Sequence, residues 1–295
     1  CAIAAHQGKF ISSRSEASVM KEVERISRME GFRGYLTDLG GPSANMYRMA
    51  GKDKERFMKC GRPSCIWPAV CDNLDTSHQD LTSLYRKVNA LPYIKKAFVG
   101  SGIRYDLLMK DYNRAAGGGE ELYLKELIVN HTSGRLKVAP EHTDDEVLYL
   151  MRKSSFSHFR KLREKFMSII RSNGLKYELV PYFISAHPGT TEQKMGSLAR
   201  DLKELGMHPE QVQDFTPTPM TLATASSHSR ACAALEPAAS HQWCWWVKRP
   251  TEGLLPMMSR PYSRNTNSRK KRGRTNRPLF FSQQSSVLSL QSVTY

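Results

Sequence analysis

The 295-residue sequence has no uninterrupted apolar run long enough to be read as a membrane-spanning helix. It also has no Met at position 1 and no signal-peptide pattern after Cys1. Without a secretory signal, the six cysteines are not expected to form a disulfide framework, and we expect a cytoplasmic protein. Because an open reading frame does not begin in this way, we expect the chain to be a fragment.

The cysteines lack the spacing of a standard zinc knuckle. Cys60, Cys65 and Cys71 lie close together in the sequence, but no two of them form a CxxC pair. Neighbouring cysteines in a cytoplasmic protein indicate either a metal site or reduced structural thiols. Both interpretations stay open at this point.

The chain is strongly basic, with a formal net charge of +16 at pH 7. A large positive charge is typical of nucleic-acid-binding proteins. Residues 226–295, however, contain eleven Lys or Arg and two acidic residues, so 11 − 2 gives +9 of that total. The densest run is 269–274. Because much of the charge belongs to this segment, we do not expect nucleic acid to be the main partner.

Residues 1–225 alternate between helical and strand patterns, with about five strands. We predict that helices begin at Ser15, at Thr143 with Glu146 as a capping box, and at Thr190. Each strand is followed by glycine, proline or small polar residues. Such alternation is typical of a parallel sheet with crossover helices, in which ligands bind beyond the carboxyl ends of the strands.

The pattern stops near residue 225. Residues 226–295 are predicted to be a basic, Ser/Arg-rich tail that is poorly ordered from about residue 240. We therefore divide the chain into a core, 1–225, and a tail, 226–295. The abrupt change in composition suggests a shifted reading frame or a wrong join rather than a second domain.

The sequences that follow the strands resemble those of the radical S-adenosylmethionine (SAM) superfamily, and in particular its YgiQ-like family. The resemblance covers residues 1–225 and rests on blocks that occur in the same order. These blocks are Cys1–Ile3 with His6–Gly8, Asp38–Tyr47, Ser101–Asp106, Lys137–His142, Pro181–Thr191 and Gln213–Thr221.

The resemblance implies an α/β fold, namely a partial (β/α)6 TIM-like barrel that lacks its first strand and ends in a disordered C-terminal tail. It also implies two cofactors, SAM and a 4Fe–4S cluster held by three thiolates of a CxxxCxxC motif. An electron from the cluster cleaves SAM, and the resulting 5′-deoxyadenosyl radical abstracts hydrogen from a substrate. Cys1 corresponds to the last of the three thiolates.

Several site residues follow from the resemblance. Gly40 and Gly41 are expected near the methionine group of SAM, where glycine permits close approach. Glu141 is expected either to face SAM or to act only through helix electrostatics. The adenine side is expected to be lined by Ser185, His187 and Phe215, although Phe215 is equally suited to the core. No catalytic side chain is indicated. Cys60, Cys65 and Cys71 form a possible second metal site.

Three functions remain in competition. The first is a radical SAM enzyme with an unknown substrate and an electron donor such as flavodoxin or ferredoxin. The second is a basic Cys-cluster module that binds nucleic acid, and the third is an inactive gene fragment. For the first, we expect Gly40, Gly41, Glu141, Ser185 and His187 to converge near Cys1. Because Cys1 alone cannot hold the cluster, we expect no SAM cleavage by this chain.

Overall fold

Helices and strands alternate along the computed structural model. It describes residues 10–41, 43–62, 64–109, 119–209, 212–227 and 287–289. The helices are α1 (Glu16–Ser27), α2 (Lys54–Lys59), α3 (Gln79–Asn89), α4 (Tyr105–Met109), α5 (Gly119–His131), α6 (Asp145–Leu150), α7 (Phe156–Ser172) and α8 (Glu192–Glu204). The strands are β1 (Tyr35–Leu36), β2 (Asp38–Gly40), β3 (Lys96–Ala97), β4 (Arg135–Glu141), β5 (Glu178–Ser185), β6 (Val212–Asp214) and β7 (Val287–Ser289). No helix in these ranges has the length and apolarity needed to cross a membrane.

All the strand ladders are parallel. β1 pairs with β3, β2 pairs with β7, and β4, β5 and β6 form a three-stranded sheet in that order. A parallel bridge between Ile103 and Val138 joins the segment after β3 to β4. The predicted α/β class with parallel strands is therefore confirmed. In the described ranges the strands form small sheets and do not close into a barrel.

The apolar core lies between one face of these strands and the helices. Val19 and Val23 of α1 are fully buried, as the 3.6-residue periodicity predicts. Alternate residues of the strands join the same cluster, because successive side chains of a strand point to opposite faces. These residues are Leu36, Ala97, Val99, Leu136, Val138, Leu179 and Phe183.

The predicted helix starts are correct at Ser15 and wrong at the two threonines. Ser15 accepts a hydrogen bond from the backbone N–H of Ser18. The N-cap of α6 is Asp144, not Thr143, and the N-cap of α8 is Thr191, not Thr190. Each helix begins one residue later than predicted because the loop before it is longer than the sequence pattern suggested.

The loops after β4 and β5 contain backbone strain. Glu141 ends β4 with φ of 68°, and Ala186 follows β5 with φ of 55°. Left-handed backbone is costly for residues other than glycine, and such residues concentrate at functional sites. Two such residues on adjacent strand ends therefore indicate a functional site in this part of the fold.

β7 lies in the segment where the sequence predicts no regular structure. Val287, Leu288 and Ser289 pair in parallel with Asp38, Leu39 and Gly40 of β2. β7 therefore belongs to the same compact unit as the described residues up to 227. Apart from residues 226 and 227, the rest of the predicted tail lies outside the described residues.

Candidate functional site

The strand ends form a continuous region that we call the carboxyl edge. It consists of the loops that follow β2, β3, β4, β5 and β6. Because all the ladders are parallel, the carboxyl ends of these strands point the same way. Gly40, Glu141 and Ser185 each occupy the last position of their strands and therefore lie along this edge. Cys1 lies outside the described residues.

Asp38 joins the β2 and β3 parts of the edge. Its carboxylate accepts hydrogen bonds from the backbone N–H groups of Gly100, at 3.0 Å, and Ser101, at 3.3 Å, and from the Ser101 hydroxyl. A Cβ atom at Gly40 would lie 2.7 Å from the Asp38 carboxylate and 3.1 Å from the Ser101 hydroxyl. Gly40 is thus required for packing within the edge, whatever ligand binds there.

Asn45 fixes the next two loops. Its side chain accepts from the N–H of Arg104 at 2.7 Å and donates to the C=O of Arg104 at 2.9 Å. The same amide nitrogen lies 3.1 Å from Nε2 of His78, so this ring nitrogen accepts. Since Asn45 and His78 are both buried, the loops after β2 and β3 are held rigidly.

The loops after β4 and β5 contain buried polar atoms without a hydrogen-bond partner in the described protein. They belong to Glu141 (Oε2), His142 (Nε2), Thr143 (Oγ1) and Thr190 (Oγ1). Buried polar atoms are nearly always hydrogen bonded in folded proteins, so each such atom requires an explanation. Four of them on two adjacent loops indicate a place where a ligand or ordered water completes the hydrogen bonding.

His142 presents a donor to this place. Its Nδ1 accepts from the backbone N–H of Asp144 at 2.9 Å, which puts the proton of a neutral ring on Nε2. Burial lowers the pKa of His142, and the nearby charge of Asp144 opposes that change. The ring is therefore neutral near pH 7, with an unpaired Nε2–H group.

His187 presents an acceptor. Its Nδ1 donates to the C=O of Pro188 at 2.9 Å, so Nε2 of the neutral ring carries a lone pair. Burial lowers the pKa of His187, while the bond to Pro188 and the charge of Glu141 act in the opposite direction. The Phe215 ring meets the imidazole edge to face at 5.1 Å. His187 and Phe215 are thus in contact, and their place on the adenine side of SAM stays a prediction.

Glu141 is held by a cation. Lys153 lies 2.9 Å from its Oε1 atom, and both side chains are mostly buried. Below them, Arg104 and Asp106 form a second buried pair. Burial alone would raise the pKa of Asp106, but the charge of Arg104 outweighs it and lowers the pKa. Glu141 therefore keeps one oxygen paired and one available.

Ser185 is engaged within the sheet. Its hydroxyl donates to the carboxylate of Asp214, and its C=O accepts from the N–H of Phe215 at 2.9 Å. The structure thus gives Ser185 a role in joining β5 to β6. Gly41 follows β2 and is only partly buried.

The cysteine loop lies beside the edge. Its Trp67 ring contacts Tyr149 of α6, with 5.1 Å between centroids, and the Arg152 guanidinium lies 5.1 Å from the Trp67 centroid. An open cavity of about 560 Å³ adjoins α6. It is lined by Asp145, Glu146, Tyr149, Leu150, Gly189 and Lys194.

In the described ranges, none of the three cysteines of this loop forms a disulfide. Cys65 and Cys71 pack against a small apolar cluster that contains Met49 and Leu74, and the N–H of Cys71 donates to the C=O of Cys65 at 2.8 Å. Cys60 is the C-cap of α2. In the described ranges, no three His, Cys, Asp or Glu side chains are arranged as metal ligands. A second metal site therefore stays a prediction.

Some of the residues that define the edge were not predicted from the sequence. His142 and Lys153 were not selected, and Thr143 and Thr190 were interpreted as helix caps. A signal for His142 existed, since it follows Glu141 directly after a strand. Lys153 gave none, because its contact with Glu141 depends on how the chain returns after α6.

Comparison with known proteins gives several related sequences. No protein-family model matches the chain. It is 51% identical over 260 residues to a UPF0313 protein of Bacteroides thetaiotaomicron, covering 84% of this chain and 42% of that protein. It is 46% identical over 294 residues to a UPF0313 protein of Porphyromonas gingivalis (92% and 46%), and 46% identical over 230 residues to UPF0313 protein RPA0679 of Rhodopseudomonas palustris (78% and 33%). The chain spans less than half the length of these relatives.

The Porphyromonas alignment also concerns the tail. Residues 1–225 are 225 of 295 residues, or 76% of the chain. An alignment that covers 92% of the chain must therefore extend into residues 226–295. Part of that segment has a counterpart in this relative.

Proposed function

The chain is a member of the UPF0313 family, which contains the YgiQ-like radical SAM proteins, and on this basis we propose that it forms most of the barrel of a radical SAM enzyme. The predicted family is confirmed; the activity is our proposal. The enzyme would cleave SAM with a 4Fe–4S cluster and abstract hydrogen from a substrate that the residues do not identify. Reduced flavodoxin or ferredoxin in the cytoplasm would supply the electron.

One observation supports this proposal most directly, namely the unpartnered polar atoms of the carboxyl edge. SAM offers an ammonium group, a carboxylate, ribose hydroxyls and an adenine ring, and so requires both donors and acceptors. Glu141 and His187 provide acceptors, and His142 provides a donor. The residues of the edge therefore fit a ligand of this kind.

The described residues do not provide the ligands of the 4Fe–4S cluster. The cysteines of the described ranges are Cys60, Cys65 and Cys71, and the last two are packed among apolar side chains. They do not fit a cluster site, and Cys1 lies outside those ranges. We therefore derive no step through the cluster and limit the roles to SAM. The Lys153-bound Glu141 would accept from one of the donors of SAM, while Gly40 would keep Asp38 and Ser101 packed together beside it.

SAM binding tests the proposal on this chain. Equilibrium dialysis with labelled SAM should show saturable binding that weakens by about tenfold in Glu141→Gln, as expected for a lost charge-assisted hydrogen bond. Glu204→Gln, on the exposed side of α8, is the matched control and should bind as the wild type does. Equal binding by both variants would refute the assignment of Glu141.

Cleavage tests the chemistry. The coding sequence would be extended upstream to include the complete CxxxCxxC motif, and the protein would be reconstituted anaerobically with iron and sulfide. Dithionite reduction should then give 5′-deoxyadenosine from SAM, whereas the 295-residue chain should give none. No product from the extended protein would refute the enzyme assignment. Product from the shorter chain would refute the requirement for the upstream cysteines.

A further inference from the structure

The face of the sheets that turns away from the helices is polar or aromatic along β1, β3 and β4, whereas β5 presents the half-buried Val180, Tyr182 and Ile184 there. We call it the open face and define it by Tyr35, Lys96, Phe98, Arg135 and Lys137. These residues alternate with the buried residues of β1, β3 and β4, so they project from the opposite side. Arg135 and Lys137 are exposed, and Tyr35 retains 47% of its accessible surface.

This composition is unusual for parallel strands. Parallel sheets are normally covered on both faces, and their strands then read as continuous apolar runs. Here Leu136 and Val138 are buried while Arg135 and Lys137, their neighbours in β4, are exposed. A second apolar layer would leave these cations without solvation. The open face therefore requires water or a polar ligand.

Two aromatic rings are stacked against each other on the open face. Tyr35 and Phe98 are parallel within 4°, with 6.3 Å between their centroids. A lysine accompanies each ring, with Lys95 Nζ 5.6 Å from the Tyr35 centroid and Lys96 Nζ 5.7 Å from the Phe98 centroid. The arrangement combines flat apolar surface with positive charge.

The charge of this face is not balanced by its acidic neighbours. Glu178 of β5 pairs with Arg135 at 3.3 Å, and Asp38 is bound by the loop after β3. Among the described residues, Lys95, Lys96 and Lys137 have no carboxylate within ion-pair distance and remain as net positive charge. An anionic ligand is therefore favoured.

We propose that the open face binds single-stranded nucleic acid, with a base stacked on Tyr35 and Phe98 and phosphates near Lys96 and Lys137. Bases stack on aromatic side chains in sequence-tolerant binding, and lysines neutralise the phosphates. An acidic peptide would use the lysines but not the paired rings. As a statement about the substrate, this rests on the proposed function. It also differs from the nucleic-acid-binding alternative drawn from the sequence, which rested on the cysteine cluster and on the basic run in residues 226–295.

Filter binding provides the test, without SAM or cluster. The probe is a labelled oligouridylate of about twelve nucleotides, compared with an abasic ribose-phosphate oligomer of the same length. The wild type should bind the oligouridylate roughly tenfold more tightly than the abasic oligomer, because only the former has bases that can stack on the rings. Tyr35→Leu and Phe98→Leu should abolish that difference, whereas Tyr93→Leu, at an exposed ring elsewhere, should preserve it.

The lysines are tested by salt dependence. Lys96→Ala and Lys137→Ala should each reduce the slope of log affinity against log salt by about 0.7, as expected for one lost phosphate contact on a single strand. Lys161→Ala and Lys203→Ala, on exposed faces of α7 and α8, are the controls. Equal slopes for all four variants, no preference for the base-bearing oligomer, or equal competition by polyglutamate would each overturn the proposal. Because neither assay involves SAM, these failures would leave the proposed function standing.

Discussion

At the scale of single residues, Glu141 and Lys153 are the most informative pair. Lys153→Met would leave a largely buried carboxylate without its cation. We expect the free energy of unfolding to fall by about 2 kcal/mol, less than for a fully buried pair because Lys153 retains some solvent contact. Urea denaturation at pH 7 measures the change. Lys153→Arg should keep most of the wild-type free energy of unfolding. If Lys153→Met has the same free energy of unfolding as the wild type, the pair contributes nothing to stability.

Gly189 gives a second residue-scale prediction. Its φ is 92°, and a Cβ atom there would lie 2.4 Å from Cδ1 of Leu150. Gly189→Ala should therefore destabilise the protein by about 1–3 kcal/mol through strain and steric overlap. Gly196, within α8, has open space around it, so Gly196→Ala should stabilise by up to about 1 kcal/mol. Thermal unfolding of both variants tests these two predictions. Shifts of the unfolding temperature in the same direction for both variants would contradict them.

Residue-scale prediction from sequence worked where the signal was local. Ser15 caps α1 because its side-chain oxygen accepts the backbone N–H of Ser18, which has no partner within the first turn of the helix. Thr143 failed because the left-handed turn at Glu141 displaces the start of α6 to Asp144. That turn depends on the packing of the strand ends, which no local pattern encodes.

At the scale of elements, β7 covers an edge of β2. Leu39 donates its N–H to Phe98, so the N–H groups of Asp38 and Gly40 point toward β7. Removing residues 286–295 should expose these two amides. Hydrogen exchange measured by NMR should then accelerate at Asp38 and Gly40 but not at Leu39. Unchanged exchange at all three would mean that β7 does not protect β2.

The elements themselves were largely predictable. The apolar periods of α1, α3 and α7 gave their buried faces, and Leu81, Leu84 and Val88 are all buried as predicted. β7 was not predicted because three residues without a pairing partner nearby in sequence carry almost no signal. Its partner, β2, lies more than two hundred positions away in the chain.

At the scale of the whole molecule, buried neutral histidines set the pH range of stability. Burial lowers the pKa of His78 to about 4, despite opposing hydrogen bonds from Thr76 and Asn45, and it lowers the pKa of His131, His142 and His187 as well. The unfolded chain binds these protons first as the pH falls. Stability is therefore full above about pH 6.5 and is lost toward pH 4, with about 3 kcal/mol from His78 alone.

Urea denaturation between pH 7.5 and pH 4 measures this dependence. His78→Asn should flatten the profile, because its amide can still meet Asn45 and does not titrate. His208→Asn, at an exposed histidine, is the control and should retain the full pH dependence. A wild-type profile that is flat over this range would contradict the prediction.

The order of the blocks allowed the family to be identified from sequence, since six short motifs in one order are far more specific than any of them alone. The closure of the strands could not be predicted in the same way. It depends on how each sheet twists and on which strands meet at the ends, as the single bridge between Ile103 and Val138 illustrates. Such contacts join residues that are far apart in the sequence, and no repeating sequence pattern reveals them.

The contact of Trp67 with Tyr149 has a practical consequence. Tyrosine emission overlaps tryptophan absorption, and at 5.1 Å between centroids the excitation energy of Tyr149 passes to Trp67. The other tryptophans of the sequence are Trp243, Trp245 and Trp246. With those three replaced by Phe, the emission spectrum of Trp67 becomes a label-free optical record of whether the cysteine loop rests on α6, and stopped-flow mixing can follow its movement in real time.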